Sequence, residues 1–255
     1  MFAHQSAATC PGWNQTAHVA RLECLLPSNY YSDMRNLPSP LRLLPLTTLV
    51  AFPNAPPYLL SASGVVDGET VGLVHRPCGG STCSIGCIAV ATSLSADAKG
   101  PADLFYFEAQ SRFRLLEEMQ RSSLGENDNV EQYWHARVVL FNDDDDDDGD
   151  ADAEDGATGL HADVWQNLQS MQQLGGDGDG AVNLQWLEEL APGVGNPTDF
   201  SLALGGVLEM ELHEAQALLE CASSRGRLSV IKSKLERAVS FAAAQKALSG
   251  LSFLS

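Results

Sequence analysis

Basic residues are scarce in this chain. Of 255 residues only 15 are Lys or Arg, against 33 acids, and the formal net charge is −18. Lysine occurs only as Lys99, Lys232, Lys234 and Lys246. A field of this sign repels phosphate backbones, and no basic patch with interleaved aromatics runs along the sequence, so nucleic acid is not an expected partner. Long apolar runs are missing too. None reaches the roughly 18 residues that a membrane-spanning helix needs, so the chain reads as soluble, with no membrane partner. The signatures of common catalytic machinery are also absent. Lys232-Ser233 is preceded by Ile231 inside a helical pattern rather than by a glycine-rich loop, so it is no phosphate cradle. No Gly-x-Ser-x-Gly elbow occurs. None of the four lysines sits in an apolar strand-to-loop setting that would depress its pKa for nucleophilic work.

The acidity that is present is uneven. Asp143 to Asp155 holds ten acids and no base, more than half of the net charge, and reads as a solvated, disordered loop. Its alternating aspartates can be laid on a calcium loop, but Val138-Val139-Leu140-Phe141 leads in as a strand rather than as the helix that such a loop requires. Asp177-Gly178-Asp179-Gly180 fails the same test, because the twelfth position counted from Gly175 is Trp186. The six cysteines, Cys10, Cys24, Cys78, Cys83, Cys87 and Cys221, do not demand a disulfide framework in a chain of this length. Cys78, Cys83 and Cys87, with His75 nearby, are spaced so that thiolates could hold zinc, but paired Cys-x-x-Cys knuckles are lacking and Cys87 falls in a strand. These read as loop and core thiols, and no metal or cofactor is expected. The remaining histidines are scattered, with His135 among strand aromatics as a structural residue, and Trp134, Trp165 and Trp186 read as packing.

Pattern divides the chain into an arm, a strand-rich region, the acidic loop and a helical region. Residues 1–40 show no sustained period and many loop markers, and read as a flexible arm. Before Glu23 this arm has no acid, but it also lacks an apolar core for a secretory signal and is poor in Arg for a transit segment, so a cytoplasmic location is expected, with an organelle as the alternative. Residues 41–142 carry strand patterns at 41–53, 70–75, 85–92, 103–117 and 133–141, rich in β-branched and aromatic residues. Short connections between them predict a mostly antiparallel, barrel-like sheet. After the acidic loop, 143–158, the period becomes helical over 159–255. Helices are predicted over 162–174, 182–190, 197–208, 212–222 and 228–248, the last with the cleanest apolar stripe, Leu228, Ile231, Leu235, Ala238, Val239 and Ala242. The expected fold class is therefore α+β: an antiparallel β-barrel-like N-terminal domain followed by a C-terminal helical bundle.

The order of these pieces carries a resemblance. Leu44-Pro45-Leu46 and Val50-Ala51-Phe52-Pro53 stand where an opening "LPLF…LFPG" strand would. Val71-Gly72-Leu73-Val74, then Ile85-Gly86-Cys87-Ile88-Ala89-Val90, then Glu108 to Leu115 with Arg112-Phe113-Arg114, follow in sequence. In the helical half, Glu214-Ala215-Gln216-Ala217-Leu218-Leu219-Glu220 precedes the long last helix. Over about residues 41–250 the chain thus resembles the substrate-binding N-terminal domain of Lon proteases. It departs from that pattern at Pro56 to Ser61, where a charged motif is replaced, at Glu108-Ala109 before the Arg strand, and at the acidic insertion.

The resemblance implies a stand-alone recognition module without ATPase or protease parts, not an enzyme. Its expected partners are unfolded or peptide segments and a protease or ubiquitin-ligase component, in protein quality control. An exposed sheet edge or apolar groove would hold extended chain, with Phe52, Tyr58 and Leu59 as the candidate partner-binding residues. Two alternatives stand beside this one. A cereblon-like ligase-substrate adaptor would need an extra zinc-cysteine domain, for which the chain has no room. An enzyme or metal protein of unrecognised type would need a pocket lined by His75, Cys78 and Cys83.

Overall fold

The computed structural model describes residues 38–77, 80–94, 104–124, 131–143, 151–175 and 196–251. All of them belong to one compact unit, Pro38–Ser255. The region read as a flexible arm lies outside them except for its last three residues, and so does the predicted helix at 182–190.

Among the described residues eight strands form one sheet: β1 (Leu41–Leu46), β2 (Tyr58–Ser61), β3 (Thr70–His75), β4 (Ile85–Ser93), β5 (Leu104–Leu115), β6 (Gln120–Leu124), β7 (Glu131–Ala136) and β8 (Val138–Leu140). Their order is β2-β5-β4-β3-β1-β7-β6, with β8 on β5 beyond the reach of β2. This corrects the expected antiparallel barrel in two respects. The sheet is mixed, because β1 and β3 run parallel with Leu43 opposite Gly72. It is also open, since no pairing among the described residues joins β6 at one end to β2 or β8 at the other. A parallel neighbour requires a crossover, and β2 supplies one: the chain leaves β1, crosses to the far side of β5, and returns as β3. Strand-type alternation reports none of this, because it is the same for either direction and for open or closed sheets.

The central strands are buried on both faces, which accounts for the near-continuous apolar runs of β3 and β4. Val71, Leu73, Cys87, Ala89, Phe105 and Phe107 belong to the core shared with the helices. Leu43, Val74, Ile88 and Phe113 point to the other face and are equally buried. On that face Phe113 fills the room left by two glycines. A Cβ at Gly72 would lie 2.9 Å from its ring, and one at Gly86 2.7 Å.

A bulge in β5 switches the faces. Ala109 pairs with Ala89 but Ser111 pairs with Ile88, so Gln110 has no partner in the ladder. The extra residue inverts the alternation. Before it, Phe105, Phe107 and Ala109 face the helices. After it, Arg112 does, and Phe113 turns to the opposite side.

The helices among the described residues are α1 (Ala151–Gly175), α2 (Pro197–Val207), α3 (Leu212–Glu220) and α4 (Ser224–Leu251). α1 begins at Ala151, inside the stretch expected as acidic loop. Local signals fix the ends of α2 and α3. The Asn196 side chain accepts from Thr198 N–H with Pro197 at the first helical position, and Glu211 and Glu214 form a reciprocal capping box. Val164 and Leu168 of α1 and Leu228, Ile231 and Leu235 of α4 enter the same core as the sheet residues. Lys232 of α4 pairs with Asp163 of α1 at 2.6 Å. None of the described helices is long and apolar enough to cross a membrane.

Candidate protein-interaction surface

The three residues singled out from sequence have different surroundings. Phe52 is 1% exposed. Its ring lies where a Cβ on Gly205 would be, at 2.5 Å, so the helix approaches the loop by having no side chain there. Its N–H donates to the Tyr58 hydroxyl at 2.8 Å. Burial pushes the Tyr58 phenol well above its ordinary value, outweighing that hydrogen bond. Phe52 and Tyr58 therefore form a packed corner between the opening strand and α2. Leu59, the next residue along β2, points the other way and is 50% exposed.

Around Leu59 the sheet presents apolar side chains to solvent. Leu59 pairs with Tyr106, which is 43% exposed. Tyr106 in turn pairs with Thr92. Leu94, 41% exposed, follows β4, and its N–H donates to Leu104 O at 3.2 Å. Leu60 and Phe105 occupy the opposite face and pack into the core. Among the described residues β2 hydrogen-bonds on one side only, to β5, and its other edge is unpaired. This end of the sheet combines a free backbone edge with exposed Leu59, Tyr106 and Leu94, and acids stand beside them: Glu108 is exposed, and the Asp67 carboxylate accepts from Ser93 N–H at 2.7 Å.

A second polar constellation holds the sheet to the helices. Arg112, turned inward by the bulge, donates to the carbonyls of Leu219 and Cys221, both at 2.8 Å. Arg227 of α4 donates to Cys221 O at 2.7 Å and to Ser201 Oγ at 2.9 Å. Both guanidinium groups also grip Asp143, which accepts from the Thr198 hydroxyl at 2.7 Å as well. Two buried cations share one carboxylate, and the remaining positive charge faces the carbonyl-rich C-terminal end of α3, where the helix dipole favours it. Burial alone would raise the Asp143 pKa. The Arg227 hydrogen bonds and charge, the Thr198 hydroxyl and the Arg112 charge outweigh burial and hold it below the ordinary carboxylate value. All its donors are internal, so the cluster is a joint rather than a site.

The described members of the cysteine–histidine region, His75, Cys83 and Cys87, have separate surroundings. The Cys87 thiol is buried, donates to Ala51 O at 3.1 Å, and is pushed far up by burial. The Cys83 thiol is raised by burial and by the nearby Glu220. His75 Nδ1 lies 3.1 Å from Leu46 O. Cys78 lies outside the described residues. Among the described residues, no three His, Cys, Asp or Glu side chains converge so as to hold a metal ion.

The architecture is thus an α+β domain, a mixed open sheet with a helical layer sharing its core. No protein-family model matches the chain, and no curated protein does. Among solved structures, the N-terminal domain of Mycobacterium avium complex Lon protease is similar to it, with a TM-score of 0.50 over 77% of this chain and 97% of that one, at 12% sequence identity. At that identity the likeness is one of fold.

Proposed function

We propose that this chain is a non-catalytic recognition module that binds extended segments of other proteins by adding them as a strand to β2. The observation that carries the reading is the unpaired edge of β2 beside exposed Leu59 and Tyr106. An extended chain there would gain main-chain hydrogen bonds from the edge, and its alternate apolar side chains would rest on Leu59, Tyr106 and Leu94. Unfolded proteins offer such segments, and folded ones hide them. The module would then serve protein quality control by passing segments to a separate protease or ubiquitin-ligase component. The fold likeness to a Lon N-terminal domain supports this reading and does not by itself carry it.

The test is binding of a fluorescent, reduced casein-type protein and of extended apolar peptides, measured by anisotropy. Saturable binding is expected, weakened about ten-fold or more by Leu59→Lys or Tyr106→Lys, since a charge on the apolar face opposes burial of the partner. Both positions are solvent-exposed, so the variants should keep the wild-type circular dichroism spectrum. Absence of binding to the wild type, or binding indifferent to both variants, would overturn the proposal.

A further inference from the structure

Far from the β2 edge, the fold builds an arginine–tryptophan cluster out of residues scattered in sequence. Trp134 of β7 pairs with Leu43 of β1 on one side and with Arg121 of β6 on the other. Arg76 follows β3 directly, and its N–H donates to Leu46 O at 2.8 Å, which fixes its backbone beside β1. The two guanidinium groups converge on one indole, Arg76 at 4.8 Å and Arg121 at 5.7 Å from the ring centroid. Trp134 and Arg76 are half-buried and Arg121 is exposed. Among the described residues β6 is an end strand of the sheet, with no strand paired to its outer edge.

Charge placement separates this cluster from its surroundings. Elsewhere in the strand region Arg42 has Glu69, Arg112 has Asp143 and Arg137 has Glu117. Arg114, without a carboxylate among the described residues, shares Phe141 with Arg112, which Asp143 already neutralises. Arg76 and Arg121 have no ion pair among the described residues, in a chain with 33 acids to choose from. Stacking on an indole orients a guanidinium without using its hydrogen-bond donors. Two like charges held on one ring repel each other with their hydrogen-bond donors unused by the stacking, so an anion that accepts from both would relieve the repulsion.

We infer that Arg76, Trp134 and Arg121 form a binding site for a carboxylate on a peptide, with the indole as the apolar floor for the residue that carries it. A net charge of −18 opposes close approach of a polyanion far more than of a single carboxylate on an apolar or basic chain. That field weighs against nucleic acid and highly charged phosphates. The carboxylate could belong to a chain terminus or to an Asp or Glu side chain, and the two present the same planar oxygen pair.

The experiment measures fluorescent hexapeptides of one apolar sequence binding to the full chain at low salt. One has a free C-terminus, one a C-terminal amide, and one an amide plus an internal Glu. Either carboxylate peptide, or both, should bind about ten-fold more tightly than the plain amide, and the stronger of the two identifies the source. Arg121→Gln and Arg76→Gln should each erase that preference with circular dichroism unchanged, while Leu59→Lys should leave it intact. The inference is overturned by equal binding of all three peptides, by a preference that survives both arginine variants, or by inorganic phosphate displacing the peptides at lower concentration than acetate.

Discussion

At the scale of single residues, Asp143 is where sequence and structure differ most in what they reveal. In the sequence it is the first of six consecutive aspartates and reads as solvated loop. In the fold it is the one carboxylate between two buried arginines. Nothing local distinguishes it from its neighbours, because its partners arrive from β5 and α4. Asp143→Asn should cost about 3–5 kcal/mol in chemical denaturation, since it leaves two buried guanidinium groups uncompensated. The pH dependence follows from the same contact. The folded pKa of Asp143 lies below its ordinary 3.8, so its contribution is complete above that value and is lost as pH falls through the lowered one. Thermal midpoints should hold near neutrality and fall in acid below about pH 4, with a shallower acid limb in Asp143→Asn. Gly206 is a second residue with a defined role, since a Cβ there would lie 2.4 Å from Ala55 Cβ. Gly206→Ala should destabilise by about 1–3 kcal/mol through overpacking, read by urea unfolding. The helix predicted over 197–208 runs through the Gly205-Gly206 pair, and the Phe52 ring fills the space that Gly205 leaves open.

At the scale of elements, long patterned stretches were legible and short ones were not. β3 runs as predicted, and β4, β5 and α2 to α4 lie within a few residues of their predicted bounds. β2 and β6 were missed. β2 is four residues long and follows Pro56-Pro57, and β6 is mostly polar, QRSSL. Their strand character comes from pairing with β5 and β7 rather than from their own composition. That is also why the Arg76–Trp134–Arg121 cluster forms no basic patch along the sequence. Of the candidates Phe52, Tyr58 and Leu59, composition cannot say which one faces solvent; Leu59 does so because of where β2 lies in the sheet. The broken alternation of 103–117 was visible, and the bulge at Gln110 explains it. Deleting Gln110 should restore a continuous alternation and put Arg112 on the face opposite Asp143. Loss of the near-ultraviolet circular dichroism signal and of a cooperative urea transition is expected, whereas a stable deletion variant would show that the bulge does not set the orientation of Arg112.

At the scale of the whole molecule, the change from strand to helix period correctly gave an α+β order, while openness and the parallel pair lay beyond any one-dimensional pattern. Among the described residues the helical layer shares its core with the sheet. Leu204, Leu219, Leu228 and Ile231 belong to the same cluster as Val71, Leu73 and Phe107. Sheet and helices should therefore unfold in one transition, with tryptophan fluorescence and far-ultraviolet circular dichroism superimposing across the urea curve. Two separated transitions would mean that the two layers are independent.

The joint through Asp143 also sets a timetable for biosynthesis. Arg227 lies 84 residues beyond Asp143 and 26 beyond Ser201. At roughly 5–20 residues per second, a ribosome needs several seconds between making the carboxylate and delivering the cation that completes the joint. For that interval the helix-facing side of the sheet, with Phe105 and Phe107, has no cover from α4. A chain proposed here to recognise exposed apolar segments is, while it is being made, itself such a segment, and nascent chains on the same polysome would present to one another the feature that the finished edge is proposed to bind.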